Sequence, residues 1–364
     1  MENKINQKIN GDGNVQQQIQ HQTVNIITAE LTESQIRDIS SKNASEIAKT
    51  YFETAVEIAN TRMKCLEDTV MNRFNKIENS LIAFSDPSFF LSYRSAQMSA
   101  ATTDNKKTYE MLSELLLHRH FRRENKYTLT GVNGAIEIVN EIADSSLAAL
   151  TILTCINQAI MPTTNILDDG LKALSDLYSA ILVCPLPNDD KWMDQLDILK
   201  AIRIDNVNKF KKFKEIIRDR MSNYSCAGIK LGSSEYEEAL KIQKENNINV
   251  LVRNDLIEEE YYIVPLFSKN DVPKLGQKRF GQFIPLTSNQ IDAVNKIISL
   301  YTKDNTINNK VLDALIKRID QYEGFRKVHE WWDQLSNACY LTQIGKVLGH
   351  ANAQNCCKDF PTLD

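Results

Sequence analysis

A mainly α-helical fold follows from three features of this 364-residue sequence. Apolar residues recur at spacings of three and four through most of the chain, the period of a helix with one buried face. No Gly or Pro interrupts the long stretch between Gly13 and Pro87. β-prone segments are confined to residues 1–28 and 224–286. The fold expected is a set of long amphipathic N-terminal helices and a helical core. A small α/β, winged-helix-like unit lies near the C-terminus, and a β-prone hairpin opens the chain. The boundaries read as 1–28, 29–84, 85–223 and 224–364.

Residues 1–28 are rich in Gln and Asn, and their aliphatic residues are all β-branched, which suits strands. Ile5 and Ile9 precede the turn Asn10-Gly11-Asp12-Gly13-Asn14, and Val15 and Ile19 follow it. Gly11 and Gly13 supply the positive φ that such a turn requires. Across the loop Ile9 faces Val15, and Ile5 faces Ile19. A lone hairpin this polar is not stable in water, so the segment either stays a solvated tail or pairs with copies of itself. Homo-oligomerisation through Ile5, Ile9, Gly11, Gly13, Val15 and Ile19 is the expectation.

Thr32 and Gln35 form a helix-start signal. Ile36, Ile39, Ile47, Tyr51, Ile58, Leu66, Val70 and Phe74 then carry one or two long helices. Such an arm serves equally as a coiled-coil partner or as a helix packed on its own domain. Asp86-Pro87 stops the arm and starts the next helix. Helices follow around Tyr93, Leu115, Ile136, Leu150 and Leu174, and a further one over Met193–Met221. Strands are expected at Ala227–Leu231, Ile248–Val252, Tyr261–Phe267 and Phe280–Leu286, with a helix at Glu235–Glu245. Helices over Ser288–Thr302 and Asn309–Tyr322 and a final helix complete the chain.

Composition narrows the function classes. The net charge of −4 creates no global field toward nucleic acid or an acidic membrane. Seven cysteines, an odd number with wide spacings and no CxxC pair, argue for reduced thiols rather than disulfides or zinc. No N-terminal leader is read. The apolar stretch Leu147–Met161 is interrupted and too short to span a bilayer, which takes about 20 residues. A cytoplasmic protein with no membrane span is expected.

No pattern for phosphate cradling, dinucleotide binding, a zinc protease or a serine nucleophile occurs. No catalytic residue, metal ligand or cofactor is assigned, and the reading leans away from an enzyme. His118, Arg119, His120, Arg122 and Arg123 form one basic cluster, and Lys211 and Lys212 belong to a second. Both fit an anion or nucleic-acid contact, and both equally fit solvated helix surface. His118 and His120 point apart on a helix and cannot share a metal there. Phe210, Phe213, Ile217 and Met221 within the second cluster sit at core-stripe spacing. Trp331 and Trp332 suit packing at a core edge, and His329 and Asp333 are helical neighbours able to pair.

Three stretches together resemble an uncharacterised bacterial family of helical proteins. They are Ser85-Asp86-Pro87 to Gln97, Ser113-Glu114-Leu115-Leu116 to Arg119, and Ala135-Ile136-Glu137 to Leu150. Leu341-Thr342-x-x-Gly345 is similar to the closing motif of abortive-infection proteins. Ile9-Asn10-Gly11-Asp12-Gly13-Asn14-Val15 looks like a motif that opens many bacterial conflict-system proteins. The resemblance implies a role in defence against phage, with a phage protein among the partners, and carries over no catalytic residue. A nucleic-acid-binding regulator built on the winged-helix-like unit is the alternative from another class, and an enzyme with a non-obvious site is a third.

Overall fold

The computed structural model describes residues 32–158, 166–279, 282–358 and 360–361. The expected hairpin at residues 1–28 lies outside them. The chain divides into two units, Met1–Thr61 and Arg62–Asp364. Among the described residues no helix is long and apolar enough to cross a membrane.

Helix α1 runs Glu33–Phe74, 42 residues long. Thr32 starts it as expected, its hydroxyl accepting from Gln35 N while the Gln35 side chain accepts from Thr32 N. In the first unit, Glu33–Thr61, no described side chain is buried. Ile36, Ile47, Tyr51, Phe52, Val56 and Ile58 are all exposed. In the second unit the character of the helix changes: Leu66, Val70 and Phe74 are fully buried at successive i, i+4 positions. Each contributes about 1.5–3 kcal/mol of apolar burial.

The second unit is mainly helical. A 3₁₀ turn at Ser80–Ser85 leads into α2 (Pro87–Ala101), α3 (Lys106–Phe121), α4 (Lys126–Ile138), α5 (Asp144–Asn157) and α6 (Leu167–Ile181). The starts are chemically explicit. The Asp86 carboxylate accepts from Ser88 N at 2.8 Å with Pro87 in the first turn. Asn105 and Asn125 cap α3 and α4 in the same way. The buried faces of these helices merge into one apolar core.

The apolar spacing predicts one helix over Met193–Met221; the structure breaks it into three pieces. Helix α7 spans Lys191–Ile198, strand β1 spans Ile202–Asp205, and helix α8 spans Phe213–Arg220. Lys200 adopts φ of 60°, and Ala201 N donates to Leu196 O at 2.8 Å, so the helix closes in a left-handed C-terminal turn. Ile202 and Ile204 then extend to pair with β7 (Ala338–Leu341), Ile202 opposite Leu341 and Ile204 opposite Cys339. This long-range pairing overrides the local helical pattern.

The segment after Asn223 holds the expected strands and helix, with shorter strands than the sequence suggested. Strands β2 (Ile229–Lys230), β3 (Val252–Arg253) and β4 (Tyr261–Ile263) make a three-stranded antiparallel sheet in the order β2-β4-β3. Helix α9 (Ser234–Glu245) connects β2 to β3, with Ser233 as its cap. Strands β5 (Gly276–Arg279) and β6 (Gln282–Pro285) pair antiparallel as a separate sheet; the sequence predicts only the second of them. Helices α10 (Ser288–Ser299), α11 (Asn305–Ile319), α12 (Glu323–Trp332) and α13 (Gln343–Cys356) follow.

Helix α13 packs most extensively on α5 and α4, and also touches α3 and α6. Two glycines set its approach. A Cβ at Gly349 would lie 2.7 Å from Thr154 Cβ and 3.0 Å from Leu150 O. A Cβ at Gly345 would strike the carbonyl oxygen of Ala201. Thr342 caps α13 by accepting from Gly345 N at 3.2 Å, and its hydroxyl donates to Lys200 O at 2.6 Å. The Leu341-Thr342-x-x-Gly345 motif is therefore a joint: it ends β7, starts α13 and clamps both to the turn after α7.

Candidate functional site

A polar network of the core sits where α1, α3 and α13 meet. Arg73, in the last turn of α1, donates from Nη1 to Glu114 Oε2 at 2.5 Å and from Nη2 to Asn355 Oδ1 at 3.2 Å. One turn along α3, His118 Nε2 lies 2.6 Å from Gln354 Oε1 and 3.4 Å from Glu114 Oε1. Both neighbours are acceptors, so Nε2 is the donor to them. His118 Nδ1 has no protein partner. The His350 ring packs edge-on against His118, centroids 5.5 Å apart, and against Phe360 at 5.1 Å.

Burial pushes the Glu114 carboxyl up, but the His118 hydrogen bond and the Arg73 guanidinium together hold it below the usual range. It is therefore charged and paired. His118 and His350 are buried, so this network lies inside the core and joins three helices through the Arg73–Glu114 pair and the His118–Gln354 hydrogen bond. Sequence reasoning did not single out Arg73, Glu114, His350 or Gln354. The i, i+4 spacing of Glu114 and His118 was the available signal.

The predicted basic residues are placed differently from one another. His118 and Arg119 are buried. Arg119 donates to Ser88 O at 2.9 Å and to Asn133 Oδ1 at 3.1 Å, and burial lowers its pKa. His120 and Arg122 are half-buried and Arg123 is exposed. His120 neighbours Phe74 and Phe121, and burial makes its ring harder to protonate. Lys211 pairs with Asp219 at 2.8 Å, and Lys212 Nζ donates to Asp333 O at 2.8 Å. These lysines thus brace α8 and the end of α12. Ile5, Ile9, Gly11, Gly13, Val15 and Ile19 lie outside the described residues.

The second basic run keeps its apolar stripe inside. Phe213, Ile217 and Met221 are buried, and Phe210 meets Trp332 at 4.9 Å. Trp331 and Trp332 are buried, each indole N–H donating to a backbone carbonyl. His329 stacks on Phe213 at 4.6 Å. Its Nδ1 lies 2.9 Å from Asp320 Oδ1 and its Nε2 3.7 Å from Asp333 Oδ2. Asp320, not the expected Asp333, is its closer partner, and Asp333 instead caps α8 by accepting from Phe213 N at 2.8 Å.

An apolar pocket lies among Cys155, Tyr178, Phe213, Ile217, Met221 and Phe325. Burial drives the Cys155 thiol and Tyr178 phenol far above neutral pH, so neither ionises there under ordinary conditions. Among the described residues no cluster of three or more His, Cys, Asp and Glu side chains is arranged to hold a metal. The described cysteines are unpaired thiols.

Residues 31–363 match a protein-family model described as ":-like". No curated protein matches the chain, and no solved structure does.

Proposed function

We propose, for a chain that belongs to this uncharacterised ":-like" family, a self-assembling bacterial protein of phage defence. It acts in the cytoplasm as sensor, scaffold or effector, with a phage protein as the partner that triggers it. One observation carries the assembly part. The Glu33–Thr61 stretch of α1 exposes Ile36, Ile47, Tyr51, Phe52, Val56 and Ile58. In proteins helices draw most of their stability from packing an amphipathic face, and this stretch buries no described side chain. A coiled-coil contact with further copies of the chain supplies that packing. The Gln/Asn-rich residues 1–28 add a second association element, with Ile9 and Val15 at its centre.

The defence part rests on the opening Ile9-to-Val15 motif and the closing Leu341-Thr342-x-x-Gly345 motif; the family match itself carries no link to abortive infection. A second reading is a nucleic-acid regulator that uses the unit of the β2-β4-β3 sheet and α9 as its binding module. Under it, binding weakens steeply with salt.

Light scattering on the full chain, the 1–28 deletion, Ile9→Lys and Phe52→Glu tests assembly. Phe52→Glu and Ile9→Lys should each lower the mass while leaving the melting of the second unit unchanged. Gln17→Lys should have far less effect than Ile9→Lys. A monomeric wild-type chain, or unchanged mass in every variant, refutes the proposal.

A further inference from the structure

The exposed half of α1 has an order that the self-assembly reading leaves open. Ile36, Ile47 and Ile58 stand eleven residues apart. So do Ala44, Ala55 and Leu66, and so do Ala48, Ala59 and Val70. Eleven residues make three turns at about 3.67 residues per turn, so each set forms a nearly straight column along the helix. The columns are neighbours, because Ala44 lies three residues before Ile47 and four before Ala48. Tyr51 stands among them, four residues after Ile47 and four before Ala55. On the opposite side Asp38, Lys42, Glu46, Lys49, Glu53 and Glu57 follow at steps of three and four, and Lys49 pairs with Glu53.

Two of the columns enter the second unit as Leu66 and Val70, where both are fully buried. Ahead of Arg62 the same face is open. Ile36, Ile47, Tyr51 and Ile58 are 46% to 74% exposed, and Ala44, Ala48 and Ala55 are exposed beside them.

This face is complementary to itself in one direction. In an antiparallel pair with Ile47 of each copy across from Ala48 of the other, Ile36 meets Ala59 and Tyr51 meets Ala44. Each contact occurs twice through the two-fold axis. Ile36, Ile47 and Tyr51 thus enter gaps left by alanines, as close packing requires, and Ile58 lies along the aliphatic stem of Arg37. Glu33 falls opposite Arg62, acid against base, at both ends. A parallel pair in register instead sets Ile36, Ile47 and Tyr51 against themselves and alanine against alanine, so wide and narrow layers alternate. Sliding the antiparallel pair by one eleven-residue repeat keeps the pattern only over the shorter stretch Ala44–Arg62. Five carboxylates against three cations over residues 33–61 disfavour a nucleic acid or an anionic membrane as the occupant.

Resting on the self-assembly reading, we infer that the partner of this face is α1 of a second copy, packed antiparallel with Ile47 against Ala48 at the centre. The overlap runs from Glu33 to Arg62, about 45 Å of helix.

The test is disulfide trapping in the full-length chain carrying Cys65→Ser, which removes the exposed thiol of α1. Ser40 and Ala55 face each other at this register. An equal mixture of Ser40→Cys and Ala55→Cys, equilibrated and then oxidised with glutathione disulfide, should give linked dimers. Neither variant alone, nor the Cys65→Ser parent, should do so. Ala44→Leu, which meets Tyr51, should lower the yield from the mixture about tenfold, and Tyr51→Ala added to it should restore the yield. Circular dichroism should stay unchanged, because the substituted side chains are exposed. Linked dimers from each variant alone mark a parallel pair and overturn the inference while self-assembly stands. An assembled particle that traps nothing in the mixture does the same. A monomeric wild type in light scattering overturns both.

Discussion

Arg318 grips Asp168 through two parallel hydrogen bonds, Nε to Oδ1 at 2.8 Å and Nη2 to Oδ2 at 2.5 Å. The fork ties α11 to the first turn of α6. The Tyr322 hydroxyl donates to the same Oδ1 at 3.1 Å. Arg318 hydrogen bonding holds the Asp168 carboxyl below the usual range despite some desolvation, and Tyr322 assists.

A folded pKa below the unfolded value of about 3.9 gives stability that is present above that value. It is lost as pH falls through the folded pKa. Both side chains are roughly two-fifths exposed, so the pair is worth about 0.5–1 kcal/mol near neutrality after solvent screening. Asp168→Asn should melt a few degrees lower than wild type at neutral pH. In thermal melts the gap should narrow as pH falls below the ordinary carboxylate range. A gap that does not change with pH would contradict the assignment.

Arg73 and Glu114 should respond asymmetrically to substitution. Arg73→Ala leaves a mostly buried carboxylate without its main cation, which costs about 3 kcal/mol. Glu114→Gln removes the charge together with the need for it, and should cost clearly less. Urea titrations of both variants measure the difference. Equal losses would mean that Arg73 acts through packing of its stem alone.

Two buried asparagines make opposite forecasts. Asn254 is fully satisfied: its Nδ2 donates to Cys226 O and Ala227 O, and its Oδ1 accepts from Leu256 N. Neither side-chain polar atom of Asn223 has a protein partner. Asn254→Leu should destabilise by about 2–3 kcal/mol, since it strands two buried carbonyls and an N–H. Asn223→Leu should be neutral or stabilising. A comparable loss at both positions would show that ordered water satisfies Asn223.

Gly349→Ala tests the seat of α13. Alanine is the better helix former by about 1 kcal/mol, yet its methyl would meet Thr154 Cβ and Leu150 O at contact distances of 2.7 and 3.0 Å. Overpacking should win, for a net loss of about 1–3 kcal/mol. A stabilised variant, read by thermal melting, would show that α13 can slide on α5.

Much of the second unit was legible because helix-forming signals are local. The Asp86-Pro87 start, the Asn105 and Asn125 caps and the buried stripes of α5 and α6 all lie within a turn or two of what they specify. Strand β1 was not legible, because its reason is β7, and no window around Ile202 contains Leu341. The same limit affected the basic cluster. Charge can be counted in sequence, but its direction depends on how α3 is rotated, which turns His118 and Arg119 inward and Arg123 outward. The network needed Arg73 beside Glu114 and Gln354 beside His118, brought from opposite ends of the second unit. The exposure of Phe90 and Leu91 was hidden for a different reason: they look like any helical stripe until Phe89 and Tyr93 are seen to take the inward positions.

The central place of α13 has a consequence for synthesis. The helix that fills the space between α4 and α5 is made after every helix it packs on. Until then Leu150, Thr154 and Gly131 have no covering partner, and β1 has no strand to pair with. The nascent protein must hold an open apolar cleft until α13 is made, a state prone to aggregation and suited to chaperone capture. Closure then arrives in one late step, so a chain stalled or clipped ahead of Gln343 should be cleared by proteolysis instead of surviving as a shorter folded product.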